Sequence, residues 1–282
     1  MIDLIIPIYN AVDTLPYTLM SIRLQSISNL VNIYLIDDFS SCSYDEIINE
    51  FKDLNITYKK LEKNSGPGVA RQVGIDVSDS KYIMFMDSDD LFFFSDSIKM
   101  LYSKIEEGYD HVAGLTFYEK NNVQFYNEGD LHSKIYRRSF IEKNSIKFNK
   151  TRFHEDNFFS NLLLICDPKM TIIDIPIYIY VNNPNSITSS EWDNEFERLE
   201  ILLSNMRELI LEGKKRNCDK KMVLFYTAIK IKYFNRLWDK FTSEQKKIFK
   251  KWLKEYDIKL EKYLTNTNYE VIIDEICETY DY

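Results

Sequence analysis

The sequence predicts an α/β protein with a mixed, mainly parallel sheet, doubly wound and flanked by helices, that ends in a helical C-terminal appendage. Three observations carry this. Short apolar runs at 3–8, 32–36 and 82–86 alternate with segments of helical periodicity, the rhythm of βαβ units. Each run ends in polar or acidic residues: Asn10, then Asp37-Asp38, then Asp87-Ser88-Asp89-Asp90. From Glu191 onward the pattern is helical only. Ligands of open α/β sheets bind beyond the carboxyl ends of the strands, so the acids stand where a site is expected.

Taken in order, the first strand, 3–8, passes through Pro7 into a turn at Tyr9-Asn10 whose amides and aromatic ring can face a ligand. A helix from about residue 13 to 26 follows, with Leu15, Leu19 and Ile22 on its buried side. The second strand ends at Asp37-Asp38. A helix at 43–52 and a third strand at 56–61 lead to Asn64-Ser65-Gly66-Pro67-Gly68, a tight turn before a helix carrying Arg71. Gly66 and Gly68 permit close backbone approach and free amides at the helix start, which suits either an anionic ligand or a purely structural turn. The missing Gly-Lys-Ser/Thr ending excludes a Walker loop. Arg71 is placed to brace the acidic cluster or a phosphate.

The run 82–86 is apolar throughout, as a strand buried on both faces must be. Asp87, Asp89 and Asp90 then fall within four positions, and carboxylates so close repel unless a cation or hydrogen-bond donors receive them. A hard divalent cation, Mg²⁺ or Mn²⁺, held by a few carboxylates plus substrate phosphates would satisfy them, whereas an acidic strand-to-helix turn with a capping Asp or Ser is the plainer alternative. A helix at 95–107 and an antiparallel pair at 111–118 and 123–126 come next. The basic, aromatic stretch 134–138 is expected to enter a helix, with Lys134 available to a diphosphate or to solvent. His154-Glu155-Asp156 opens a helix to about 165, where acids stabilise the dipole and one of them can also act as a base. Residues 169–181 form a β-rich segment that Pro176 marks as an edge or bent strand. A polar loop, 182–188, precedes helices at about 193–213, 218–240, 243–256 and 268–280.

A formal net charge of −8 leaves no expectation of a nucleic-acid partner. The charge is uneven, because residues 195–262 hold 18 Lys and Arg against 11 Asp and Glu. That basic stretch is either a set of solvated helix faces or a surface for peripheral contact with an anionic membrane; it also offers a homo-oligomer interface. Cys42, Cys166, Cys218 and Cys277 lie far apart without a Cys-x-x-Cys pair, which argues against a disulfide framework and for a reduced, cytoplasmic setting. No apolar run approaches the length of a spanning helix, so any membrane association is expected to be peripheral, at the inner face.

The ordered set Pro7-Ile8-Tyr9-Asn10, Asp37-Asp38, Asn64-x-Gly66-x-Gly68-x-Ala70-Arg71, Asp87-Ser88-Asp89-Asp90, Glu155-Asp156 and Asn185-Ser186-Ile187-Thr188 resembles the family 2 glycosyltransferases of GT-A (Rossmann-like) fold over residues 1–190. The resemblance implies a catalytic domain at 1–190 and does not extend to residues 191–282, whose helical pattern marks a separate region open to four roles: lid, oligomer surface, acceptor platform or membrane-facing plate. It implies an inverting transferase that takes a hexose from a UDP-sugar to a glycan, lipid-linked or protein-borne saccharide with Mn²⁺ or Mg²⁺. Carried over by position, Pro7, Tyr9, Asn10, Asp37 and Asp38 line the nucleoside pocket, with Asn64, Gly66, Arg71, Asp87 and Ser88 around the nucleotide sugar. Asp89 and Asp90 hold the metal. Asp156 is the general base with Glu155 beside it, and Lys134, His154 and Ser186 are candidates for phosphate or acceptor contact. Two positions depart from the family pattern: Phe39 stands where a glycine is usual, and Val181 or Asn182 stands where an arginine is common. A sugar nucleotidyltransferase would need a Gly-rich basic loop after the first strand, where this chain has Ile8-Tyr9-Asn10-Ala11-Val12. A non-catalytic partner subunit of transferase-like shape is the other alternative, which the acids at 87, 89 and 156 oppose.

Overall fold

A computed structural model describes residues 1–119, 123–125, 130–151, 153–183, 195–216 and 242–255. The chain divides into two compact units, Met1–Ser160 with Pro168–Ser190, and Asn161–Asp167 with Glu191–Tyr282.

The first unit is a single mixed sheet of nine strands with helices on its faces. Its parallel half has the order β3 (Asn55–Lys60), β2 (Val31–Asp37), β1 (Ile2–Ile8), β4 (Tyr82–Phe85). The strand order reverses between β1 and β4, and the carboxyl ends of all four strands lie along one edge. The sheet continues through β8 (Lys134–Arg137), β6 (His111–Tyr118) and β9 (Met170–Tyr180) to the two-residue β5 (Leu91–Phe92), while β7 (Val123–Phe125) pairs with β6 alone. β8 runs antiparallel to both β4 and β6. Sequence reading expected residues 134–138 to lead straight into a helix; the helix α5 (Arg138–Lys143) does follow, but only after this strand. β9 is not an edge strand, because β6 flanks it on one side and β5 on the other. Pro176 is accommodated by register shifts where it faces Leu115, so the ladder bends at the residue that lacks an N–H.

The helices form where apolar residues repeat at helical spacing. In α1 (Leu15–Arg23) Leu15, Leu19 and Ile22 are buried, and in α4 (Ser97–Ile105) Ile98, Leu101 and Ile105 are buried; both stripes join Ile2, Leu4, Ile6 and Ile8 of β1 in one core. On the other side α3 (Pro67–Val77) presses on β1. Gly74 allows that approach, since a Cβ there would lie 2.4 Å from Ile5 Cγ2. An aromatic group of Phe85, Tyr136, Phe148 and Phe159, with ring centroids 4.3–6.0 Å apart, fixes the start of α6 (Glu155–Leu164) beside the end of β4. The short helix α2 (Asp45–Glu50) joins β2 to β3.

The amino ends of the strands are tied by a buried ion pair. Asp3, fully buried in β1, accepts from Arg138 Nη2 at 3.0 Å, from Ser80 N at 2.6 Å and from Asn32 Nδ2 at 2.9 Å. Arg138 also donates to the carbonyls of Ser80 and Ile75 and to Ser78 Oγ, so its guanidinium joins β1, β4 and the end of α3. In the second unit, α7 (Glu195–Arg216) buries Leu202 and Leu209, and a further helix, α8 (Ser243–Glu255), presents Lys247, Lys250 and Lys251 at its surface. No described helix is long and apolar enough to cross a membrane. The helices expected at 218–240 and 268–280 lie outside the described residues.

Replacing Arg138 by Met strands the Asp3 carboxylate. The unfolding free energy is expected to fall by about 3–5 kcal/mol, read from the urea midpoint, with the slope unchanged.

Candidate active site

The sheet edge gathers acids from the ends of two strands, β2 and β4, and from the start of α6, and each acid has its own environment. Asp37 is buried, and its carboxylate accepts from Ser40 N at 2.7 Å and from Tyr58 Oη at 2.7 Å, which makes it the brace of its own turn. Asp38 is a clasp between β2 and the turn before α3: its two oxygens accept from Ser65 N at 2.7 Å and Gly66 N at 2.8 Å. Burial pushes the Asp38 carboxyl up, against the pull of those two amides. Gly66, at φ 89, is in the left-handed region that the turn requires. Gly68 is needed for a different reason, because a Cβ there would lie 2.7 Å from Glu155 Cγ.

Arg71 is the centre of the cluster. Rising from α3 and buried, it donates from Nη2 to Asp87 Oδ1 at 2.6 Å and from Nη1 to Glu155 Oε1 at 2.8 Å. One guanidinium thus joins the end of β4 to the start of α6. Burial works against its charge, yet the carboxylates of Asp87, Glu155 and Asp156 outweigh burial and hold the proton more firmly than usual. Glu155 is pushed up to about 7, chiefly by burial and further by Asp156, while Arg71 pulls the other way. Asp156 is half-buried in the first turn of α6; its Oδ1 accepts from Asn157 N at 2.7 Å, and among the described residues no hydrogen bond reaches its Oδ2. His154, at φ 61, gives its carbonyl to Phe158 N and turns the chain into the helix.

The four residues after β4 separate in role. Asp87 is half-exposed, and its amide donates to Tyr178 Oη at 3.1 Å; that hydroxyl donates in turn to Asp90 Oδ2 at 2.9 Å. Asp90 is buried and also accepts from Val181 N at 2.8 Å. Burial holds its carboxyl well above the usual carboxylate range, with Asp87 and Asp89 adding to the shift. Asp89 accepts from Asn183 Nδ2 at 2.8 Å, and burial raises it too. Ser88 is half-buried between them.

One side chain of this site was not foreseen. Ligand atoms of Asp87, Asp90 and His132 lie within 4.8 Å of one another, the spacing of a set that can share a divalent cation. The sequence reading had paired Asp89 with Asp90; Asp90 belongs to the set, and Asp89 faces Asn183 instead. His132 arrives because β8 is antiparallel to β4: counting on from the Met84–Ile135 pair, residue 132 falls opposite residue 87. Its ring stacks on Tyr178 with centroids 4.7 Å apart, and Nε2 lies 3.1 Å from Asp130 Oδ2 without the alignment of a hydrogen bond. Despite burial, the neighbouring Asp130, Asp90 and Asp87 raise its proton affinity, so a bound cation would replace a proton there. Two carboxylates, one imidazole and a crowded negative field fit a divalent ion.

The remaining expected contacts fall as follows. Lys134 is 1% exposed, with Nζ donating to the Asp130 carbonyl, and so points into the protein and not toward a diphosphate at the surface. Tyr9 and Asn64 are exposed, and Pro7 is half-buried. Asn10, at φ 49, accepts from Ser41 N at 2.9 Å and anchors the turn after β1 to the turn after β2. Ser186 lies outside the described residues. Phe39 adopts φ 68, rare for a bulky side chain and costing on the order of 1–2 kcal/mol, while its ring is 51% exposed. Lys60 Nζ, 5.8 Å from the ring centroid, returns roughly 0.5–1 kcal/mol.

This edge, an α/β sheet reversing beside a carboxylate cluster, is that of a GT-A protein, and the sequence matches glycosyl transferase family 2 over residues 3–173. The chain belongs to that family. It is 31% identical over 274 residues to the minor teichoic acid biosynthesis protein GgaA of Bacillus subtilis, covering 84% of this chain and 59% of that protein. To the poly(ribitol-phosphate) beta-N-acetylglucosaminyltransferase TarP of Staphylococcus aureus it is 29% identical over 210 residues, 64% of this chain and 63% of TarP. The chain therefore spans less than two thirds of either relative. The crystal structure of S. aureus TarS 1–349 in complex with UDP-GlcNAc shares the fold, with a TM-score of 0.79 at 19% identity, covering 90% of this chain and 80% of that one.

The proton on Glu155 gives a pH signature. Because the folded protein binds it more tightly than the unfolded chain, the stability it contributes is complete below about 4.5 and lost as pH rises through about 7. Relative to Glu155→Gln, wild-type unfolding free energy is expected to decline across that window by a few kcal/mol at most and to run parallel outside it.

Proposed function

We propose that the chain transfers a hexose from a UDP-sugar to a hydroxyl of a saccharide or lipid-linked saccharide, with inversion at the anomeric carbon. The observation that carries this is the guanidinium of Arg71, which holds Asp87 and Glu155 together and so sets the Asp87/Asp90/His132 cluster next to Asp156 at one sheet edge. A UDP-sugar donor is supported by the TarS crystal structures of the same fold, one in complex with UDP-GlcNAc and one with UDP. The likeness to GgaA and TarP favours an acceptor in a cell-surface polymer of teichoic-acid type.

Asp87, Asp90 and His132 would hold Mn²⁺ or Mg²⁺, and Asp89 lies at its margin. When bound, the cation supplies positive charge to the diphosphate leaving group. The protein's own part is positioning and proton transfer. Arg71 fixes Asp87 on one side and, through Glu155, the first turn of α6 on the other. Asp156 Oδ2, which no described hydrogen bond reaches, accepts the acceptor's hydroxyl proton as that oxygen attacks C1 opposite the departing diphosphate. A single displacement turns an α-linked donor into a β-linked product. Glu155, buried on Arg71, serves as the positioning residue. Residues 191–282 are assigned to a separate helical region whose lysines suit an anionic surface.

Incubation with a panel of UDP-sugars and Mn²⁺, following UDP release, identifies the donor. Asp156→Asn is expected to lower transfer at least a thousandfold while keeping Mn²⁺-dependent UDP binding. Asp90→Ala or His132→Ala should weaken that binding by tenfold or more. Equal loss of UDP binding in all three variants would show that the roles are wrongly divided.

A further inference from the structure

We infer that the segment leading to Asp156 is a docking surface for a polyanionic acceptor, with Lys147 and Lys150 receiving the phosphodiester groups that flank the hydroxyl to be glycosylated. The inference rests on the transferase reading above and deepens it, by naming the charge of the acceptor and the residues that meet it.

Residues 143–154 hold Lys143, Lys147, Lys150 and Arg152 and no Asp or Glu, in a protein of net charge −8, and Glu155 and Asp156 follow at once. A basic run therefore ends on the acids of α6. Lys143, Lys147 and Lys150 are exposed, and among the described residues none of the three meets a carboxylate. By contrast Lys60, Lys81, Lys99 and Lys104 each face one, at 2.7–3.8 Å. Unpaired cations on one flank of a carboxylate site leave a positive field that a negative partner completes.

The backbone that carries these lysines is fixed beside the base. Ile146 is buried and its N–H donates to the Ile141 carbonyl at 2.9 Å. Phe148 is buried too: its N–H donates to Gln72 Oε1 at 3.0 Å, its ring stacks on Phe159 with centroids 4.3 Å apart, and it meets Phe85 edge-on at 5.4 Å. The Asn149 carbonyl lies 3.3 Å from the point a Cβ on Gly68 would occupy, and Glu155 Cγ lies 2.7 Å from the same point, so residues 149 and 155 abut one spot at the start of α3. Lys147 and Lys150 bracket Phe148 and Asn149, and this places them on the flank of Asp156. The chemistry selects the ligand. A hydroxyl carried on a chain of phosphodiesters brings negative charge up to Asp87, Asp89, Asp90 and Asp156, and like charges at such range repel. Ammonium groups on the flank offset that repulsion. Lysine holds phosphate as a point charge without fixing its orientation, which suits a polymer that presents many equivalent units.

The test titrates labelled poly(ribitol phosphate) into the full chain and follows fluorescence anisotropy, with dextran of similar length as the neutral control. Lys147→Gln/Lys150→Gln is expected to weaken polymer binding roughly ten- to thirtyfold at low salt, while Mn²⁺-dependent UDP binding changes by less than about twofold. At about 0.5 M NaCl the gap should shrink to about threefold or less, because exposed charges are then screened. Lys147→Arg/Lys150→Arg should bind as wild type does. So should Lys99→Gln/Lys104→Gln, which removes the same charge from α4 on the opposite face of the sheet. Polymer affinity unchanged in Lys147→Gln/Lys150→Gln overturns the inference, as does an equal loss in the α4 variant. Wild type that binds UDP yet holds the polymer no better than dextran overturns this inference alone, whereas wild type that binds neither overturns the transferase reading with it. Phosphatidylglycerol vesicles that bind wild type and not the Lys147/Lys150 variant, beside unchanged polymer binding, overturn it in favour of a membrane surface.

Discussion

The site depends on one electrostatic constraint: carboxylates brought to a single sheet edge must be neutralised or hydrogen-bonded, and Arg71 pairs with two of them at once. Its two bonds reach Asp87 and Glu155, 68 positions apart in sequence, so the end of β4 and the start of α6 are set by one side chain. A buried charge is costly unless paired, and the partners of both Arg71 Nη atoms are the site itself, while Nε finds none among the described residues. The residual excess of negative charge around Asp87, Asp89 and Asp90 is the feature that the proposed cation would neutralise.

Packing makes this electrostatic arrangement feasible. α3 has to carry Arg71 beneath the edge, and it comes that close only because Gly74 lies on Ile5 and Gly68 on Glu155. The aromatic group around Phe85 and Phe159 locks α6 at the end of β4, so that Glu155 meets the guanidinium without a flexible connection. At the opposite edge Asp3 and Arg138 repeat the device with a purely structural purpose. The same pair type, Arg with buried Asp, thus serves stability at the amino ends of the strands and function at the carboxyl ends.

Left-handed residues mark the turns that build the site. Asn10, Phe39, Ser133 and His154 each have positive φ, and each adjoins a site residue: Tyr9, Asp38, His132 and Glu155. Asparagine takes this conformation easily; phenylalanine does not. Strain of this kind persists because the surrounding hydrogen bonds over-determine the turn.

Much of this was legible in the chain. Apolar runs with polar or acidic residues at their ends located β1, β2 and β4 and placed Asp38, Asp87, Asp90 and Asp156 at strand ends or helix starts, because side-chain periodicity and strand polarity are local properties. Arg71 was legible as a brace, since a helix after a tight turn must point its first turn toward the strand ends. His132 was not, because residues 134–137 are a strand only by virtue of lying between β4 and β6, and their antiparallel direction is what carries residue 132 to Asp87. Nor was the burial of Lys134, which follows from the same strand. The sequence by itself determined which residue types meet at the carboxyl edge; tertiary structure alone decided which of them form one cluster of charge, because cross-strand direction and desolvation are set by neighbours distant in the chain.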